Sequence, residues 1–198
     1  MRKILEDYIE HLQEVLTNLD LEAIERFFRL MESCVGTERK IWVMGNGGSA
    51  ATASHMACDL SKGVREYTGT PIPVMSLTDS VSILTAIAND SSYDDTFSDQ
   101  LKPYLKKDDV VVVISGSGNS KNVVKAVEYA KEKGATTVAL VGYQGGTIKG
   151  MADLCVHVRV DDMQLAEDAH LIINHMAMKV FVQRFSKSQA MGAAPWGG

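Results

Sequence analysis

His55 and Asp59 stand four residues apart, and Glu167 and His175 stand eight apart in a later stretch of helical character. Four residues is about one helical turn and eight a little over two, so each pair shares a helix face. Imidazole and carboxylate groups converging from two helices form a donor set suited to a divalent transition metal. Each pair also has an ordinary reading. Side chains four apart support an isolated helix, and a histidine among apolar neighbours is often a hydrogen-bonded core residue. His170 lies well round the helix from His175 and does not easily join its donors.

The first pair follows a turn with chemistry of its own. Ile41, Trp42, Val43 and Met44 are an apolar run suited to a buried strand, and Gly45, Asn46, Gly47 and Gly48 remove bulk where the chain must turn. Ser49 is expected to cap the next helix, which Ala50, Ala51 and Ala53 favour. Its first amides lack intrahelical partners and lie at the positive end of the helix dipole, so an anion is their natural occupant. The turn also serves as a mere tight connection, and it has neither the Lys of a Walker loop nor the GxGxxG order of a dinucleotide site. A second such place is Ser115-Gly116-Ser117-Gly118-Asn119-Ser120, where hydroxyls and glycines crowd another strand-to-helix junction. A Ser/Gly loop with a helix cap is the plain reading. Placement after a buried strand favours a phosphate cradle, because ligands of open α/β sheets sit at the carboxyl ends of the strands.

The elements that must carry these residues alternate. Residues up to about Val35 read as two amphipathic helices, with Ile4, Leu5, Tyr8, Ile9, Leu12, Val15 and Leu16 on one stripe and Leu21, Ile24, Phe27, Phe28 and Met31 on the next. They pack either on this chain's own sheet or against another subunit. Strands are expected at 41–44, 71–77, 110–114, 137–141 and 155–160, with helices at 80–88 and 119–133 and from Met163 to Phe185. Mostly non-alternating apolar runs separated by helices predict an α/β three-layer sandwich on a five-stranded parallel sheet. Gly142, Gly145 and Gly146 read as a structural turn, and Asn89 with Asp90 as the stop of the helix at 80–88. A length of 198 residues fits a single domain, 1–186, with 187–198 a frayed, Gly- and Ala-rich tail. A net charge of −5 without a concentrated basic stripe argues against nucleic acid. No apolar run reaches membrane-spanning length, and Cys34, Cys58 and Cys155 are odd in number without metal-type spacing. A cytoplasmic chain with reduced thiols and no membrane partner is expected.

Taken together, GNGGSAATASHMACDL, TAIAND, ISGSGNS and AEDAHLIINHMAM resemble the sugar isomerase (SIS) domain family and, within it, the phosphoheptose isomerases. The resemblance implies a flavodoxin-like sheet order and isomerisation of sedoheptulose 7-phosphate to a D-glycero-D-manno-heptose 7-phosphate. It also implies a homotetramer with active sites between subunits, one zinc ion in each, and residues 1–36 used in assembly. Residue by residue, it assigns Asn46, Gly47, Gly48 and Ser49 to substrate binding, and Ser115, Gly116, Ser117 and Ser120 to the phosphate. It makes Asp59, Asn89, Asp90 and Glu167 substrate contacts, His55, Asp59, Glu167 and His175 metal ligands, and Asp59 and His175 the acid–base pair. Two positions depart from the family pattern, which has Glu where Asp59 stands and Gln where Glu167 stands. Asp is one methylene shorter, setting a general base about 1 Å back, while Glu167 adds an anionic oxygen to the metal set. The competing class is a non-catalytic SIS protein of the replication-initiator-associating type, against which the presence of His175 together with His55 weighs. A phosphosugar sensor has little support without a DNA-binding extension.

Overall fold

A computed structural model describes residues 1–186. The expectation of a frayed tail at 187–198 lies outside the described residues. Helices α1 (Arg2–Thr17) and α2 (Leu21–Glu32) precede the sheet. The chain then runs β1 (Ile41–Gly45), α3 (Gly48–Cys58), a π-helical turn (Asp59–Gly63), α4 (Val64–Thr68), β2 (Val74–Ser76) and α5 (Val81–Asp90). It continues through α6 (Ser98–Leu101), β3 (Val110–Ser115), α7 (Lys121–Glu132), β4 (Thr136–Val141), α8 (Gly146–Met151) and β5 (Leu154–His157) to α9 (Met163–Phe185).

All five strands are parallel, in the order β2-β1-β3-β4-β5, the flavodoxin-like arrangement. Side-chain alternation assigns the two layers. Ile41, Val43, Val110, Val112, Ile114, Val138 and Leu140 face a core shared with α2, α3 and α9. Trp42, Met44, Val111, Val113, Ala139 and Val141 face α6, α7 and α8. Buried Asp109 joins the starts of β1 and β3 by accepting from Lys40 N at 2.8 Å, Trp42 Nε1 at 3.0 Å and Lys106 N at 3.0 Å. Three donors satisfy a carboxylate that would otherwise be costly to bury.

Two strands are shorter than their apolar runs. The run at 71–77 begins with Pro71 and Pro73, which have no N–H to pair, so β2 starts at Val74. The run at 155–160 pairs only to His157, and Val158 N still bonds Val141 O at 2.8 Å.

The topology reverses direction between β1 and β3, which leave toward opposite sides. The β1–α3 turn and the β3–α7 loop therefore meet at a crevice over the strand ends.

Candidate active site

Strand β1 stops at Gly45, and the backbone turns through Gly47 at φ 56°, a left-handed value that any Cβ would oppose. Gly47, not Ser49, is the N-cap of α3; Ser49 sits buried inside the first turn, because the glycine conformation lets the helix begin earlier than the side-chain capping pattern suggests. At Gly48 a Cβ would collide with the Glu167 carboxylate, so the bare Cα is what lets α9 approach the start of α3. Asn46 is held in a reciprocal amide pair with buried Asn122, each Nδ2 donating to the other's Oδ1 at 2.9 Å, and Tyr93 Oη donates to Asn46 Oδ1 at 2.8 Å. Asn122 and Tyr93 were missed by sequence reasoning. Asn122 follows Ser120 by two residues, and the polar run SGNSKN was the signal available.

The β3–α7 loop is preset in the same way. Ser115 Oγ accepts from Gly118 N at 3.1 Å and Ser117 Oγ from Asn119 N at 3.3 Å, which curls the loop. Gly118 takes φ 67° with the Gly145 carbonyl against it, so no side chain fits there. Gly116 lies under Met163, the first residue of α9. Ser120 is the N-cap of α7, its hydroxyl makes no capping bond among the described residues, and the first two amides of α7 have no intrahelical partner.

In the C-terminal half of α3 the chemistry changes. Helices α3 and α9 pack together, and His55 Nε2 lies 3.3 Å from His175 Nε2 and 3.0 Å from Asp59 Oδ2. One donor atom from each of the three residues falls within 4.8 Å of the other two. Asp59 opens the π-helical turn, a local widening of the kind often found at functional sites. Its Oδ2 also accepts from Asn174 Nδ2 at 3.0 Å, and Asn174 is fully buried. Asn174 therefore orients the carboxylate from behind, a role its position beside His175 could have suggested.

Glu167 is not among the three clustered donors. It is half-buried one stretch back toward the cradle and lines, with Gly48, Thr52, His55 and Asp168, a cavity of about 240 Å³ between α3 and α9. Asn89 and Asp90 end α5, as a stop signal should, with Asn89 Nδ2 donating to Asp90 Oδ1 at 2.8 Å. Both are exposed. His170 faces the core, fully buried; among the described residues neither ring nitrogen has a partner in bonding geometry, and burial pushes its pKa down to about 4. A larger cavity of about 940 Å³, between α1, β5 and the start of α9, is lined by none of the candidate catalytic, metal or substrate-binding residues.

The donors fit zinc. Zn–N and Zn–O bonds of about 2.0–2.1 Å in a tetrahedron put neighbouring ligand atoms about 3.3 Å apart, and the His55–His175 separation is 3.3 Å. Two imidazole nitrogens and a carboxylate oxygen are also the donor types zinc prefers.

Comparison with known proteins places the whole chain. The SIS domain family profile matches residues 6–142. The chain is 38% identical over 178 residues to a probable phosphoheptose isomerase of Thermoplasma acidophilum, covering 90% of this chain and 97% of that one. It is 42% identical over 166 residues to the phosphoheptose isomerase of Geobacter sp. strain M21, covering 82% and 86%. Among solved structures, the phosphoheptose isomerase from Neisseria gonorrhoeae superposes with a TM-score of 0.83 at 31% identity, over 92% of this chain and 98% of that one. With two strand-end cradles, a His-Asp-His cluster and these relatives in agreement, the chain belongs to the SIS domain family and, within it, to the phosphoheptose isomerases.

Proposed function

We propose that this chain catalyses the aldose–ketose isomerisation of sedoheptulose 7-phosphate to a D-glycero-D-manno-heptose 7-phosphate, the first step of nucleotide-activated heptose synthesis. The observation that carries the reading is the adjacency of two donor-rich loops at the sheet's switch point to the cluster of His55, Asp59 and His175. The seven residues from Gly48 to His55 separate the two by about 10 Å along α3, a spacing suited to a phosphate at one end of a sugar chain and its carbonyl at the other.

Ser115, Ser117, Ser120 and the open amides of α7 and α3 bind the phosphate, and Asn46 adds an amide held in place by Asn122 and Tyr93. Remote binding of this kind positions the reacting carbons. Asp59, oriented by Asn174, takes the proton from C1 of the ketose while His175 delivers one to the C2 oxygen, giving an enediol. The proton on the C1 oxygen then leaves to His175, and Asp59 returns its proton to C2, completing the aldose with no net change in atoms. His55, Asp59, His175 and, from the same cavity wall, Glu167 would hold a zinc ion. Bound there, zinc would polarise the substrate oxygens and stabilise the enediolate charge.

The reading extends to assembly: one domain through residue 186, working in the cytoplasm as a homotetramer with sites between subunits. The exposed apolar residues Ile4, Leu5 and Ile9 of α1 and Val81 and Ile83 of α5 support it. Asn89 and Asp90, exposed at the end of α5, contact substrate in that assembly. Metal-replete protein incubated with a panel of ketose phosphates and followed by NMR tests the proposal. Aldose formation from sedoheptulose 7-phosphate is the expected outcome, and bound phosphosugar without turnover of any panel member would replace it with a binding role.

A further inference from the structure

Asp168 is a carboxylate that neither the metal set nor the phosphate cradle uses. It lies seven residues before His175, within about 20° of the same helix face, whereas Glu167 at eight residues is turned by about 80°. Asp168 is thus better aligned with the reactive end than its neighbour. It borders the cavity of about 240 Å³ that His55 and Glu167 also line. Its Oδ2 accepts from Tyr8 Oη at 2.7 Å, and its Oδ1 has no hydrogen-bond partner among the described residues.

The Tyr8 bond is unusual for α1. Other side-chain bonds of that helix, from Arg2 to Glu6, Lys3 to Asp7 and Thr17 to Gln13, stay within it, and α1 buries none of its residues. Tyr8 instead reaches 160 positions along the chain to fix a carboxylate beside the candidate site. A hydroxyl bonded to one carboxylate oxygen restricts rotation of the group and leaves the other oxygen aimed as an acceptor.

We propose that Asp168 contacts substrate, its free Oδ1 accepting from a hydroxyl of the sugar chain in the α3–α9 cavity, and that Tyr8 is the positioning residue that aims it. The inference rests on the isomerase reading and adds a specificity element to it. An ionised carboxylate offers acceptors only, so the subsite selects a polyhydroxy chain. It also makes α1 part of the site.

The test is steady-state kinetics of the full-length, zinc-replete protein on sedoheptulose 7-phosphate, with inorganic phosphate as a competitive inhibitor reporting the cradle. In Asp168→Asn, Tyr8 still has an oxygen to bond, but the amide turns donors toward the sugar. KM should rise tenfold or more, with kcat within threefold and the phosphate inhibition constant within twofold of wild type. An unchanged KM overturns the proposal whatever happens to kcat, as does a parallel rise in KM and the phosphate constant, which marks a general distortion. Tyr8→Phe should raise KM about threefold, in keeping with the loss of an orienting bond. That variant decides the matter if Asp168→Asn does not fold, since an unchanged KM there is equally fatal. Absence of wild-type turnover sinks the isomerase reading instead. Calorimetric affinity of wild type and Asp168→Asn for the same sugar phosphate then decides the contact: tenfold weakening supports it and equal affinity overturns it.

Discussion

Helices α9 and α5 are both rich in apolar residues, yet the fold treats them differently. The first buries Leu165, Ala166, Ala169, His170, Ile173, Asn174, Ala177, Phe181 and Val182 within this one chain. The second, VSILTAIAND, buries nothing, and Val81 and Ile83 are 70% and 47% exposed. Where α9 lies in the groove against α3, its polar residues meet their partners: His175 meets His55, Asn174 meets Asp59 and Asp168 meets Tyr8. Nothing comparable happens at the end of α5, where the side chains of Asn89 and Asp90, among the described residues, bond only each other. The difference teaches that one chain by itself gathers the three clustered donors on α3 and α9, while it leaves the apolar face of α5 uncovered, the face that the proposed assembly would cover.

Removing metal attacks the gathered donors and has the largest expected effect. A chelator should lower turnover by a factor of about 1,000 or more, and added zinc should restore it; activity that survives chelation, with zinc absent by elemental analysis, would dissolve the distinction between the helices. The next effect is one of stability and lies in the core face of α9. Burial depresses the His170 pKa from the ordinary 6.5 to about 4, so as pH falls the unfolded chain takes up the proton first. The stability due to the neutral ring is complete above pH 6.5 and is lost between 6.5 and 4, amounting to about 3 kcal/mol. In His170→Phe, urea unfolding across that window should be less pH-dependent than wild type by about that amount, and an identical slope would mean the ring is not held neutral. Smallest on the single chain is Ile83→Lys. It places a charge on the uncovered face of α5, should weaken self-association at least tenfold in sedimentation, and should leave zinc affinity within twofold. Lost zinc binding in that variant would show that α5 and α9 are not independent.

Much of this was legible in the chain. Apolar runs such as VVVVI and the strong helix formers after GNGGS marked the parallel sheet and the junctions that form the cradle. Helical spacing of four set His55 beside Asp59, and the structure brings His175 to them. What spacing could not supply was contact across elements. The Asn46–Asn122 pair and the Tyr8–Asp168 bond join residues 76 and 160 positions apart, a separation on which periodicity within one helix is silent. Nor could it tell that Glu167 packs against Gly48, although the spacing of seven residues against eight already put Asp168 closer than Glu167 to His175 in helical phase. Ser49 misled for a local reason: a glycine at φ 56° began the helix two residues before the serine that looked like its cap.

The claim on which the rest depends is that His175 belongs to the same reactive centre as His55 and Asp59. Turnover of sedoheptulose 7-phosphate by zinc-replete His175→Ala, measured beside wild type on protein of matched folding, tests it most directly. A loss of about 1,000-fold in kcat is predicted for removal of an acid–base group that also holds metal. A kcat within tenfold of wild type would contradict it.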